Sequence, residues 1–130
     1  VISIDVDTVD GAVAALIDNL DISGGKYVEG SVGTVTSNDS ATAFASNSIN
    51  VMLGSSFATY AKAEAELAVE AGGALTDIAT IFLNSTSGVA EMYLSDTTAN
   101  ATNDFLLASF TDITTLDQLA ELAAGNFTEF

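Results

Sequence analysis

The first nine residues, VISIDVDTV, alternate: Ile2, Ile4 and Val6 fall on one side of an extended chain, Ser3, Asp5 and Asp7 on the other. That period of two predicts a half-buried strand over 1–9. The period then lengthens. In GAVAALIDNL, Ala12, Val13, Leu16, Ile17 and Leu20 recur at helical spacing, and Asp10 stands where an N-cap belongs. The glycines of DISGGK end that helix, because glycine accepts the positive φ of a helix stop. Between 27 and 53, short β-branched or apolar runs broken by Gly, Ser and Asn predict two or three strands, with turns at SND and SNS.

Helical spacing returns in SSFATYAKAEAELAVEAGG. Ser55 or Ser56 is the expected cap, Phe57, Tyr60, Ala61, Glu64 and Leu67 distribute over the helix faces, and Gly72 and Gly73 stop it. The alanines of this helix allow close approach to a sheet. DIATIFL (77–83) and VAEMYL (89–94) flank NSTSG, which predicts a hairpin. FLLASF (105–110) predicts a third strand, buried on both faces. Thr115 and Gln118 have capping-box spacing ahead of LDQLAELAAG, and Gly125 releases the chain into NFTEF. The fold class expected is α+β, a mostly antiparallel sheet of short strands packed against two or three helices. One domain over 1–130 fits this length, with a sub-boundary near 54–56 where the strand pattern gives way to a helical one. No fixed-period repeat is visible, which sets solenoids aside.

Composition narrows the chemistry. Hydrophobic residues at 48% are enough to offset the entropy of ordering a chain, so a packed core is expected. No apolar window approaches the ~18 residues a membrane helix needs, and membrane insertion is not expected. The sequence begins at Val1, which is read as a fragment or as the product of processing. Eighteen carboxylates face only Lys26 and Lys62, a formal charge of -16. Nucleic acid and anionic lipid are poor partners for such a surface, since both are recognised through Lys and Arg. Divalent cations, or a saline medium that screens self-repulsion, suit it better; a merely soluble acidic surface, as in a halophile, is the plainer account.

Catalysis finds little to work with. Cys, His, Arg, Trp and Pro are all absent, which removes disulfides, thiolate metal sites, the usual general base and the usual aromatic sugar platform. A Ser-Lys dyad would have to recruit Lys26 or Lys62, and Lys62 beside Glu64 and Glu66 reads as a solvated cation. Phosphate loops and dinucleotide fingerprints are missing. A non-enzyme with no catalytic residues is the expectation.

Two acidic stretches invite a hard cation. In DVDTVDG, Asp5, Asp7 and Asp10 precede Gly11, as oxygen ligands do along a calcium loop, although the third acid comes one residue late for an EF-hand. A solvated strand face with Asp10 as helix cap explains the same residues. Asp96, Asn100, Asn103 and Asp104 form the second set, which a loop of backbone-bonded Asx side chains would also explain. Ca2+ is the one cofactor these residues suggest. Four sequons begin at Asn38, Asn84, Asn100 and Asn126 and matter if the source glycosylates exported proteins.

The second half of the chain resembles the C-terminal region of RTX-type and S-layer-like proteins exported by type I secretion. The resemblance rests on a strand at 78–83, Tyr93-Leu94 with Asp96, Asn103-Asp104, the apolar run 105–110, the helix start at 111–116, and Asn126-Phe127. The closing FTEF is similar to the tails such exporters read. The Gly-rich GGxGxDxUx nonapeptides that bind calcium in that group do not occur here. The resemblance implies an extracellular, cell-surface life. The function expected is therefore a non-enzymatic structural or assembly domain of an exported bacterial or archaeal surface protein. Such a domain would self-associate into an array or filament with calcium bridging acidic surfaces, and the strand over 1–9 would pair with a neighbour. The alternative is an adhesin-like module for a glycan or small ligand, which needs an exposed cluster among Tyr27, Tyr60, Tyr93 and the Phe residues.

Overall fold

The computed structural model describes residues 44, 46, 49–99 and 104–122, together with the backbone of 2–4 and 127–129. Its elements are β1 (Ile2–Ile4), β2 (Ile49–Phe57), α1 (Tyr60–Glu70), β3 (Thr76–Asn84), β4 (Val89–Thr97), β5 (Asp104–Phe110), α2 (Leu116–Leu119) and β6 (Phe127–Glu129). Four strands form one sheet in the order β2-β3-β4-β5, and β1 pairs with β6 in a second, two-stranded sheet. The α+β class holds, and the four-stranded sheet is mixed, with two of its three pairings antiparallel. β2 runs parallel to β3, and β1 runs parallel to β6, whereas β3-β4 and β4-β5 are antiparallel. The cause is α1: it lies between β2 and β3 in the chain, and a helical crossover returns the chain to start the next strand in the same direction. Positions 54–56 lie inside β2, and NFTEF contributes β6.

Parity along β3 organises the core. Ala79, Ile81 and Leu83 pack on one face with Ile49, Val51, Ala90, Met92 and Leu94. Ile78 and Phe82 pack on the other with Met52, Tyr60, Ala63 and Leu67. An inner strand covered on both sides carries apolar residues at both parities, which is why 78–83 reads as a near-continuous apolar run. α1 covers the second face, while Leu119 of α2, with Ile113, Leu116 and Leu122, closes the first. The N–H of Ala90 donates to the Ile113 carbonyl at 2.8 Å, fastening that segment to the hairpin. Among the described residues, no helix is long and apolar enough to cross a membrane.

The helix ends follow the sequence unevenly. Neither Ser55 nor Ser56 caps α1: β2 continues through them, and the N-cap is Thr59, in extended conformation and without a side-chain cap bond. Pairing wins over capping at this point, because Phe57 still pairs with Asn84 and its carbonyl accepts the Ser85 N–H at 2.9 Å. At the other end Gly72 takes φ 73 and donates to the Val69 carbonyl, and Gly73 donates to Ala68, both at 3.1 Å. That is a Schellman stop, as the two glycines predicted. The Thr115–Gln118 capping box is present, although α2 itself is only four residues long.

The third predicted strand needs the larger correction. β5 is not buried on both faces; it is the last strand of the sheet, and Leu106 is 51% exposed. Its register with β4 also slips: Met92 pairs with Ala108, yet Tyr93 pairs with Leu106, so Leu107 is an inserted bulge residue.

Replacing Phe82, which has no exposed surface and touches the aromatic side chains of Phe57, Tyr60 and Tyr93, should cost about 3–5 kcal/mol as Phe82→Ala. Leu106→Ala should cost well under half as much. Urea unfolding of both variants checks the ranking.

Candidate functional site

Helical spacing carries a carboxyl group into the interior. Tyr60, Ala63, Glu64 and Leu67 share the buried side of α1, and Glu64 is only 4% exposed. Beneath it lies Ser95 of β4, whose Oγ is 3.0 Å from Glu64 Oε1 and 3.2 Å from the Thr97 carbonyl oxygen. Ser95 is the cross-strand partner of Asp104, the first residue of β5. The Leu107 bulge is what makes them partners: a one-residue change of register reverses the face of every side chain beyond it. With the slip, Asp104 stands beside Ser95 and Leu106 beside Tyr93, while Ala108 and Phe110 serve the opposite face.

No cation balances this group. Among the described residues the cationic side chain is Lys62, exposed on α1. Burial, followed by the charge of Asp104, raises Glu64 to about 7. Asp104 is itself raised, first by burial and then by Asp96, while its bonds to Ser95 and Glu64 pull it back down. The interaction between the two carboxyls raises Glu64 and lowers Asp104, which favours the neutral form of Glu64. Asp104 Oδ1 is buried and has no hydrogen-bond partner. Beside the acids, Tyr60 and Tyr93 stack with ring centroids 4.3 Å apart and planes within 1°. The Tyr60 hydroxyl lies 3.5 Å from Thr80 Oγ1, and burial raises its pKa.

A second polar cluster sits at the β3-β4 turn. Asn84 Nδ2 donates to Glu91 Oε2 at 2.8 Å, and its Oδ1 accepts from the N–H groups of Thr86 and Ser87 at 2.8 and 3.2 Å. Ser87 Oγ donates to Glu91 Oε1 at 2.8 Å, and Thr86 Oγ1 to the Ala58 carbonyl at 2.9 Å. Gly88 completes the turn at φ 78. This is an Asx-type turn, and it uses the very nitrogen that glycosylation of the Asn84 sequon would modify.

Of the candidate ligands, Asp5, Asp7, Asp10, Asn100 and Asn103 lie outside the described residues, as do Lys26, Tyr27 and the sequons at Asn38, Asn100 and Asn126. Asp96 and Asp104 are described and stand on neighbouring strands. The structure joins them to Glu64, which reading the sequence had left as a helix-face residue. The available signal was its place four residues after Tyr60 and three before Leu67, within the apolar stripe. Among the described residues no group of three or more acidic side chains is arranged to hold a metal ion. Ser95 with two carboxyls can hold and pass a proton, but Ser95 has no exposed surface for a substrate to reach. Tyr60 and Phe82, two of the aromatic residues a binding module would display, belong to the core. The hollow lined by Phe44, Met52, Gly54 and Glu70 holds about 10 Å³, room for one water. Comparison with protein-family models, curated proteins and solved structures finds no match to this chain.

Asn84→Ala removes three bonds at once and leaves a buried Glu91 carboxylate short of a donor. The expected loss is about 1–3 kcal/mol in thermal or urea unfolding. In a host that glycosylates exported proteins, mass spectrometry of the folded protein should find Asn84 unmodified.

Proposed function

We propose that the chain is a non-enzymatic structural and assembly domain of an exported surface protein, and that copies associate outside the cell through the open edge of the four-stranded sheet. The observation that carries this reading is β5. Among the described residues it ends the sheet, Leu106 is 51% exposed on it, and FLLASF offers six successive residues without charge in a chain of net charge -16. An edge strand of that kind, with neither Pro nor Lys to blunt it, is a template for pairing with another strand. The strand over 1–9 is less free to do so, because Ile2–Ile4 already pairs with Phe127–Glu129 of its own chain.

Charge decides where copies meet. Each close pair of like charges costs on the order of 1 kcal/mol in water, so two such chains approach best along an uncharged strip. Calcium between the acidic surfaces flanking that strip would offset the repulsion that remains. The extracellular setting rests on the resemblance of the short motifs between 78 and 127 to those of proteins exported by type I secretion.

Sedimentation velocity tests the reading on the wild type and on Leu106→Lys, in sodium chloride and in calcium chloride at matched ionic strength. The wild type should form larger species as concentration rises, more so with calcium, and the lysine variant should stay monomeric. A wild type that remains monomeric in both salts, or a variant that assembles equally well, contradicts it.

A further inference from the structure

Ser95 has one hydroxyl proton for three acceptors: Glu64, the Thr97 carbonyl and Asp104. Its Oγ is within bonding distance of both Glu64 Oε1 and the Thr97 carbonyl. When Glu64 is neutral, its own O–H can donate to Ser95 or to Asp104, and the serine proton can turn to Thr97, so the cluster gains one donor. When Glu64 is ionised it can only accept, so the one Ser95 proton cannot serve Glu64, Thr97 and Asp104 together, and the buried Glu64 carboxylate faces the half-buried Asp104, whose buried Oδ1 still lacks a donor among the described residues. Among the described residues the groups facing this point are Tyr60 and Glu64 from α1, Thr80 from β3, Tyr93, Ser95 and Asp96 from β4, and Asp104 from β5. None of them is a cation.

We propose that Glu64, Ser95 and Asp104 form a proton-operated latch, closed in acid, that holds α1 on the β4-β5 strands and loosens as Glu64 ionises. The three members come from three elements, so the latch joins the helix to the edge of the sheet. It stands apart from the assembly reading and holds whether or not copies associate.

The direction with pH follows from the raised values. Below its ordinary value of 4.5 Glu64 is neutral whether folded or unfolded, and the stabilisation is fully present; it is lost as pH rises towards about 7 and is constant above. Asp104, also raised, acts in the same direction. Most carboxylates are already ionised above about pH 5, so the change between about pH 5 and about pH 8 reports the raised carboxyls, Glu70 among them, and substitution of Glu64 and Asp104 separates this cluster's share.

The test follows thermal unfolding and backbone hydrogen exchange of α1 in the intact chain across that range, for the wild type, Glu64→Gln and Asp104→Asn. The wild type should melt several degrees lower at the alkaline end, with α1 amides exchanging faster after correction for intrinsic rates. Glu64→Gln, permanently neutral, should lose most of this fall and melt above the wild type at the alkaline end. Asp104→Asn should shrink the fall. A wild-type melting temperature that is flat or rises with pH overturns the proposal, and so does a fall that Glu64→Gln retains undiminished. If Glu64→Gln does not fold, a fall undiminished in Asp104→Asn overturns it.

Discussion

Burial of β3 on both faces is the constraint from which the rest of the structure follows. A strand with Ala79 and Ile81 on one side and Ile78 and Phe82 on the other must be covered twice. One cover is α1, inserted between β2 and β3, and that insertion makes the β2-β3 pairing parallel. The other is the segment around α2, too short to stand as a helix alone and held by its capping box and by Leu119, which has no exposed surface. Hydrophobic burial of this kind is non-directional, so the polar groups that ride along must find partners where they land.

Glu64 is such a passenger. Its place on α1 puts it under the helix rather than beside it, in a chain with almost no cations to meet it. A buried carboxyl in that position is stabilised by holding a proton rather than by a salt bridge. The Leu107 bulge adds Asp104 to the same spot. Bulges at sheet edges re-aim side chains, and here the re-aiming brings a second acid to Ser95 while leaving Leu106 on view. The edge that carries the assembly proposal and the acid pair that carries the latch thus arise from one irregularity in one strand.

Local signals were legible in the sequence. The double glycine at 72–73, the Thr115–Gln118 box and the NSTSG turn each act through neighbouring backbone, and the structure contains all three. What was not legible depends on distant pairing. Ser55 and Ser56 look like caps until Phe57 is seen to pair with Asn84; FLLASF looks central until the sheet is found to end with it. Parallel pairing of β2 with β3 depends on where a helix crosses, which no short window records. Asp96 and Asp104, eight positions apart, read in the sequence as cation ligands, whereas in the fold Asp104 is the charge that, after burial, most raises Glu64, forty positions before it.

The central claim is physical: an uncompensated carboxyl is buried under α1 and keeps its proton near neutrality. Carbon-13 NMR of the Glu64 side-chain carboxyl, followed through a pH titration of the folded protein, tests it most directly. The account predicts a midpoint of about 7 for that carbon. A midpoint at the ordinary 4.5 would show that Glu64 is solvated or paired, and would contradict the account.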